Sequence, residues 1–378
     1  MALGDILEID DRTLLVLGQP LVFDKGQPDV ANALLHRVDD SLFLVDTGVT
    51  DSFRQALITA VDRVGPWRHL VLLTTHGHVD HVGNNDLADQ LAQDRGVTVE
   101  HFVPARDVPQ MVDPHGYWSR SFGRLDGVVP MPAPPKLVAG KVVSLFKPMQ
   151  PFGRTTRTYE ELPPERISIG SLRLSGWTFA DGAVRVLRSQ GHCAGHVMVQ
   201  LRDSRLLHMS DEANGPCGVM ADADQLKIVA ALGAAVTMLE EEQVTRLTDG
   251  HSFVVAEAPQ ALSRLQTMLD QAVVLQDGSR ADIADRPEVD AGEFADVFGQ
   301  RLAELGVGGA NPNPFFTAMM ALNSLQELGL RPGGTGKSSW SRPQLTVDSR
   351  GGLRRIISGM GTVVSFAAWR IRGKNKGG

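Results

Sequence analysis

Cysteines and long apolar runs are scarce in this chain. The first shortage argues against a disulfide-stabilised protein, and the second against a membrane-spanning one. Only 2 of the 378 residues are cysteines. We interpret Cys193 and Cys217 as small buried residues of a protein in a reducing compartment, not as a disulfide, and a role in metal binding stays open. No apolar run approaches the roughly 20 residues that a membrane-spanning helix needs. We therefore expect no integral membrane protein.

The first eight residues also lack the basic charge with which a secretory signal begins, and carry Asp5 and Glu8 instead. The rest of the composition, 42% apolar and 21% charged, is typical of globular proteins. A chain of this length can form one large core with an appendage. We expect a compact cytoplasmic protein.

Negative charge is unevenly distributed along the chain. The net charge is −7, yet residues 331–378 carry ten basic residues and one acidic residue, so this tail has a charge of +9 and the preceding residues −16. Within the tail, an apolar stretch at 356–369 is flanked by arginines. Such a segment could lie on an anionic membrane surface, or it could pack against the rest of the chain or a sister subunit. We favour the second interpretation.

Three histidines and an aspartate are concentrated at positions 76–81, directly after the apolar residues 70–73. Histidine is the commonest metal ligand, and imidazoles with a carboxylate suit Zn²⁺ or, less often, iron or manganese. A strand ending here can direct His76 and His78 at one cation, while the following turn brings Asp80 and His81 toward a second. This cluster predicts a metal site.

Further donors occur downstream. His192, Asp211 and His251 each follow or end a segment that is predicted as a short strand, with glycine or serine nearby. A sheet that presents metal ligands on the loops at one edge would show this pattern.

With these residues, the chain resembles the metallo-β-lactamase superfamily, whose first motif is His-x-His-x-Asp-His. The resemblance covers about residues 12–275 and includes the segment Leu-Val-Asp-Thr-Gly at 44–48, similar to the family's early strand that ends in Asp-x-Gly. It implies an α/β fold, the αββα sandwich of this family, here with a C-terminal helical extension.

The resemblance also assigns roles to individual residues. One metal would be held by His76, His78 and His192. The other would be held by Asp80, His81 and His251. Asp211 would bridge the two metals, and Asp80 and Asp211 would be catalytic. The resemblance implies two Zn²⁺ ions per chain, with iron or manganese as alternatives, while Asp46 and His196 would support the ligands through hydrogen bonds.

The chain is predicted to have four parts. Residues 1–282 would form the catalytic domain, 283–330 a helical extension with helices at 289–305 and 314–328, and 331–378 the basic glycine-rich tail. Within the catalytic domain, 113–164 would be a proline-rich insertion without strong periodicity, forming a lid or pocket wall over the metals. An external arm for contacts in a homodimer is the alternative.

The insertion is rich in aromatic residues and basic charge. It contains both tyrosines of the chain, and between residues 116 and 158 it has seven basic residues and one acidic residue. We expect this charge to attract an acidic group on a small-molecule substrate. The expected pocket residues are Tyr117, Trp118, Phe122, Phe146 and Tyr159.

The resemblance implies a hydrolase in which hydroxide between two metals attacks an ester-like bond. A thioester or lactone is the favoured substrate, as in relatives similar to glyoxalase II and the lactonases. A phosphodiesterase or nuclease, a sulfatase or a dehalogenase is the alternative within the fold, although no nucleic-acid partner is expected. A metal-binding scaffold without activity is the alternative outside enzymes.

Overall fold

Two seven-stranded sheets form the centre of the protein, as seen in a computed structural model that describes residues 2–22, 25–147, 149–251, 254–307, 313–333 and 338–342. In the first sheet the strand order follows the chain. Strands β1 to β4 pair antiparallel, and β4 to β7 pair parallel. These strands are β1 Ile6–Asp10, β2 Thr13–Val16, β3 Ala33–Val38, β4 Ser41–Val45, β5 His69–Leu73, β6 Thr98–Val103 and β7 Thr156–Thr158.

The second sheet is mostly antiparallel. Its order again follows the chain, and only β12 and β13 pair parallel. Its strands are β8 Glu165–Ile169, β9 Leu172–Phe179, β10 Val184–Arg188, β11 Val197–Leu201, β12 Leu206–His208, β13 Arg246–Thr248 and β14 Ala256–Glu257.

The two sheets face each other across a shared apolar core. Alternate residues of one strand point to opposite faces, so Val71 and Leu73 of β5 join this core while Leu70 and Leu72 belong to the cluster on the outer face. Strand β10 contributes Val186 to the core from the other side.

Helices cover both outer faces. The first sheet is covered by α1 Asp51–Arg63 and α3 Leu87–Arg95, and the second by α7 Gln225–Glu240 and the first half of α8 Ala258–Ile283. Two short helices, α2 Val79–Val82 and α4 Val108–Val112, lie in loops. The predicted αββα sandwich is confirmed.

Helix α1 is capped by Thr50. The side chain of Thr50 accepts the hydrogen bond from the backbone N–H of Phe53. Asp51 is already helical, where its charge is favourable near the positive end of the helix dipole.

The insertion at 113–164 is not the long loop that its weak periodicity suggested. It forms α5 Pro114–Gly123 and α6 Pro135–Ser144 and supplies edge strand β7 to the first sheet. Pro114 and Pro135 stand in the first turns of their helices, where the missing N–H of proline costs nothing. The prolines that argued for a loop therefore mark helix starts.

The C-terminal extension consists of α9 Ala291–Glu304, α10 Pro314–Glu327 and a small sheet of β15 Glu288–Asp290, β16 Arg331–Pro332 and β17 Ser339–Ser341. Buried residues such as Phe298 and Leu322 join it to the cluster outside the first sheet. The apolar stretch of the basic tail lies outside the described residues. Of the helices in the described ranges, none combines the length and apolarity of a membrane span. The four-part division stays a prediction.

Candidate metal centre

Five strand ends meet at one edge of the sandwich. In the first sheet β4 and β5 run parallel, so the residues after both strands lie at the same edge. In the second sheet β10, β12 and β13 share one direction, because β11 is antiparallel to both of its neighbours and β13 is parallel to β12. The predicted ligands follow four of these strands, and Asp46 follows the fifth.

Three histidine nitrogens converge at this edge. Nδ1 of His78 lies 2.9 Å from Nε2 of His76 and 3.0 Å from Nε2 of His192. Together with Asp211, these residues form a group whose donor atoms could hold one metal ion. The composition of this group matches the predicted first ligand set with its bridging aspartate.

A second group lies beside the first. Oδ2 of Asp80 is 3.4 Å from Nε2 of His81 and 3.3 Å from Nε2 of His251, and these three residues could hold a second ion. Each carboxylate oxygen of Asp211 faces a different group. Its Oδ1 is 3.2 Å from Nε2 of His81, and its Oδ2 is 3.4 Å from Nε2 of His192. Asp211 therefore occupies the position of a bridge.

The histidines of the first group are neutral at physiological pH. Burial, with the neighbouring imidazoles, holds the pKa of His76 well below its ordinary value. Burial likewise lowers the pKa of His78 to about 4 and that of His192 to about 3. A neutral imidazole has a free lone pair, which is the form that binds metals.

The second group holds more charge. Burial lowers the pKa of His81, but the carboxylates of Asp211, Asp80 and Asp46 outweigh burial and raise it well above its ordinary value. The pKa of His251 is raised in the same way, against burial, by Asp211 and Asp29. Before a metal binds, protons on these two imidazoles balance the carboxylates.

Asp46 holds His81 in place, as the sequence suggested. Its Oδ2 lies 2.8 Å from Nδ1 of His81, while its two oxygens accept hydrogen bonds from the backbone and hydroxyl of Thr75. With Nδ1 donating to Asp46, Nε2 of His81 faces the site. Asp46 adopts a left-handed backbone, with φ 56°, and so does Ser210, with φ 48°, beside Asp211. Backbone strain of this kind is typical of functional sites.

His196 contacts the bridge through the backbone. Its Nε2 accepts a 3.1 Å hydrogen bond from the N–H of Asp211, so its Nδ1 carries the proton and faces Ser189 and Glu212. The Glu212 carboxylate in turn accepts hydrogen bonds from the N–H groups of Gly191 and His192. These contacts tie the loop of His192 to the loop of Asp211.

Glycine is required at position 250, next to His251. A Cβ atom there would lie 2.3 Å from Oδ1 of Asp211, closer than any stable contact. In the sequence this glycine indicates only a loop, and the structure gives it a steric role.

Two supporting carboxylates were missed from the sequence. Nε2 of His78 lies 3.2 Å from the hydroxyl of Tyr117, and that hydroxyl donates a 2.7 Å hydrogen bond to Asp222. Asp29 lies 3.3 Å from Nδ1 of His251. Neither aspartate stands at a recognisable spacing from the histidines, so no signal in the sequence could have identified them.

The site fits divalent metal ions. Nε2 of His81 and Oδ1 of Asp211 are buried and lie 3.2 Å apart, but they are not aligned for a hydrogen bond with each other or with another group, although a buried polar atom is normally paired. Cations between the converging donors would satisfy both atoms. The mixture of imidazole and carboxylate donors suits zinc.

A family model for the metallo-beta-lactamase superfamily matches residues 26–237. The chain belongs to the metallo-beta-lactamase superfamily. Members of this superfamily are mostly metal-dependent hydrolases, and the histidine and aspartate groups of this member are consistent with a metal cofactor. The resemblance inferred from the His-x-His-x-Asp-His motif is confirmed.

Solved structures of the superfamily share the fold at low sequence identity. The metallo-beta-lactamase family protein TTHA1429 of Thermus thermophilus matches with a TM-score of 0.53 and 18% identity, over 89% of this chain and 100% of the other. A beta-lactamase domain protein of Burkholderia ambifaria matches with 0.53 and 17%, over 90% and 95%. The sec-alkylsulfatase Pisa1 of a Pseudomonas species matches with 0.55 and 16%, over 87% and 51%. No curated protein matches significantly.

Only part of the predicted aromatic pocket lies at the superfamily site. Tyr117 touches His78, and the ring of Trp118 is centred 6.4 Å from that of His78. Tyr159 is fully buried in the core between the sheets, where its hydroxyl donates to the carbonyl of Thr74. It follows edge strand β7, which carries it inward, so its assignment to the pocket is wrong.

Phe122 and Phe146 are also core residues. Each is only 3% exposed and belongs to the apolar cluster outside the first sheet. They hold α5 and α6 on the protein and are not among the residues that line the cavity beside the donor groups. Their placement in the substrate pocket is therefore wrong, because the insertion folds as packed helices.

A cavity of about 360 Å³ opens beside His192 and Asp211. Its walls come from the loop after Asp211 and from α10 of the C-terminal extension, not from the basic insertion. The described residues that line it include no lysine or arginine. The cavity at the superfamily site is therefore formed by the C-terminal extension and the loop after Asp211, and not by the insertion at 113–164 that was expected to form the pocket wall.

Proposed function

We propose that this protein is a hydrolase with two zinc ions that cleaves an ester-like bond, a thioester or a lactone, in a small molecule. The observation that carries the proposal is the position of Asp211, whose two oxygens face two separate groups of donors. A carboxylate that faces both groups could bridge two neighbouring metal ions.

The residues of the site would have different roles in hydrolysis. When bound, the metals supply Lewis acidity and lower the pKa of water toward neutrality. In the site without metal, His81 and His251 keep Asp80 ionised, with its pKa lowered to about 2 in spite of burial. Asp80 therefore serves better to orient the attacking water than to accept its proton permanently. Asp46 and Tyr117 fix the rings of His81 and His78.

An uncharged ester fits the cavity better than a phosphodiester. Ligand pockets of about 300 to 1,000 Å³ hold small molecules, and this cavity has room for one. Phosphate groups are usually bound by arginine or lysine, which are absent from the described lining.

Sulfate-ester hydrolysis is the second candidate. The sec-alkylsulfatase of Pseudomonas shares the fold with a TM-score of 0.55, and an alkyl group would suit the apolar helix α10. The same lack of a basic residue in the described lining places this candidate behind the carboxylic esters.

Two measurements test the proposal. Metal analysis of the purified protein should give two equivalents of zinc per chain, and a screen of thioesters, lactones, alkyl sulfates and phosphodiesters at fixed zinc should find turnover among the first two. Asp211→Ala should abolish that turnover. A protein without bound metal, or one whose Asp211→Ala variant remains fully active, would overturn it.

A further inference from the structure

The cavity beside His192 and Asp211 has a mainly apolar far wall, in which Asn214, Asn313 and Thr317 are the polar side chains among the described residues. Most of that wall is formed by apolar side chains from three elements: the loop after Asp211, the start of α7 and helix α10. The central contributors are Val219, Ile228, Phe316 and Met320. The cavity therefore runs from the metal ligands into an apolar end.

Several of these apolar side chains are left partly exposed. Val219, Phe316 and Met320 are only half-buried, although they pack against the main core. Apolar groups that converge on one cavity while remaining exposed are typical of a ligand site, since a bound apolar group would cover them.

The described lining offers no cationic side chain for an anion. It contains two charged side chains, Asp211 and Glu212, and both are acidic. Both carboxylate oxygens of Glu212 accept backbone hydrogen bonds, from Gly191 and His192. A carboxylate or phosphate at the apolar end would lose its hydration without gaining a positively charged partner.

The apolar wall is held in a fixed position. Asn323 of α10 donates hydrogen bonds to the carbonyls of Gly218 and Met220, at 2.8 and 2.9 Å, and accepts one of 2.7 Å from Arg124 of the insertion. Helix α10 and the loop after Asp211 are thereby joined before any substrate binds. A preformed wall favours binding because little ordering is needed.

We propose that this cavity binds the uncharged aliphatic acyl chain of the substrate, with the ester carbonyl at the metal ligands and the chain against Phe316 and Met320. The proposal rests on the proposed function, because it names the substrate class of the same site. It favours aliphatic esters over compounds that place carboxylates in the cavity.

A series of thioesters with acetyl, butyryl, hexanoyl and octanoyl groups on one neutral thiol tests the proposal. The value of kcat/KM should rise by about fourfold for each added methylene that the cavity can cover, and then level off when the cavity is full. A series ending in a carboxylate should lose this gain. A kcat/KM independent of chain length would overturn the acyl-chain proposal while leaving ester hydrolysis intact.

Two adjacent phenylalanines provide a matched pair of variants. Phe316 lines the cavity, whereas Phe315 is also half-buried but does not line it. Phe316→Ala should lower kcat/KM about tenfold for the octanoyl thioester and leave the acetyl thioester unchanged. Phe315→Ala should change neither. Equal effects of the two variants on the octanoyl substrate would contradict the assignment.

Binding of alkanols separates this inference from the catalytic proposal. Butanol, hexanol and octanol should raise the thermal unfolding midpoint progressively in the wild-type protein, and Met320→Trp, which fills the cavity, should remove the increase. This result would support the apolar subsite even if no ester were hydrolysed. If the alkanols stabilise the Met320→Trp variant as much as the wild type, the subsite does not exist.

Discussion

The hydroxyl of Tyr117 lies 3.2 Å from Nε2 of His78 and donates its own hydrogen to Asp222, 2.7 Å away. Because the single hydrogen of that hydroxyl is donated in the hydrogen bond to Asp222, the hydroxyl can only accept from His78. Nε2 of His78 must then carry the hydrogen, which leaves Nδ1 free to face His76 and His192. The tautomer of a ligand is set here by a helix of the insertion.

We expect Tyr117→Phe to weaken metal binding by about tenfold to a hundredfold, the usual effect of losing a residue that orients a metal ligand. The measurement is competition for zinc with a chromophoric chelator. The second tyrosine of the chain offers the matched control, because Tyr159→Phe removes a hydroxyl that donates to Thr74 in the core.

Tyr159→Phe should reduce stability by about 1 kcal/mol and leave the zinc affinity unchanged. If both tyrosine variants bind zinc like the wild type, Tyr117 does not position His78.

The two donor groups should release different numbers of protons when they bind metal. His78 and His192, with pKa values of about 4 and about 3, are neutral at neutral pH and carry a single ring proton each. His81 and His251, with pKa values raised well above the ordinary value, each carry a second ring proton. A metal entering the second group must displace them, so its affinity should increase with pH.

Calorimetry in buffers of different ionisation enthalpy measures this release. One binding step should release close to no protons and the other about two. His251→Gln should remove part of the release, whereas His69→Gln, a histidine paired with Glu100 on the surface, should not change it. Equal proton release in both steps would contradict the division into two groups.

The candidate ligands could be identified from the sequence because their positions follow from local spacing. His76 and Asp80 belong to one short motif, and a strand followed by a turn leaves little freedom in where such side chains point. His192, Asp211 and His251 each stand just beyond a strand, so sheet topology alone brings them to one edge. The structure assembles these residues in the two predicted groups.

The surroundings of the ligands could not be predicted in this way. Asp222 reaches Tyr117 across 105 positions of the chain, a contact set by how α5 packs and not by any periodicity. Proline misled the prediction for the insertion, because Pro114 begins a helix instead of interrupting one. The wall of the cavity depends on where α10 packs against the rest of the protein, and no local sequence pattern predicts that position.

Asn323 is the residue on which that docking depends most directly. Its side chain is 7% exposed and makes three hydrogen bonds, to Gly218, Met220 and Arg124. Asn323→Ala removes these three hydrogen bonds, and we expect a loss of about 1 to 3 kcal/mol in the free energy of unfolding, measured by urea denaturation.

Gln326 supplies the control for Asn323. It also accepts a hydrogen bond from Arg124, but at an exposed position. Gln326→Ala should therefore change stability by less than about 0.5 kcal/mol. Similar losses in the two variants would show that the buried amide does not hold the wall of the cavity.

Buried histidines away from the donor groups should make the protein sensitive to acid. Burial lowers the pKa of His101 from 6.5 to about 3, so the unfolded chain binds a proton at this residue between these pH values and the folded protein does not. Stability should then fall as the pH drops below 6.5, by about 1.4 kcal/mol per pH unit for this one residue.

Urea denaturation of wild type and His101→Gln at several pH values measures the difference in stability between the two proteins, in which contributions from bound metal cancel. The variant should show the shallower decline; parallel declines in the two proteins would mean that His101 is not kept neutral by the fold.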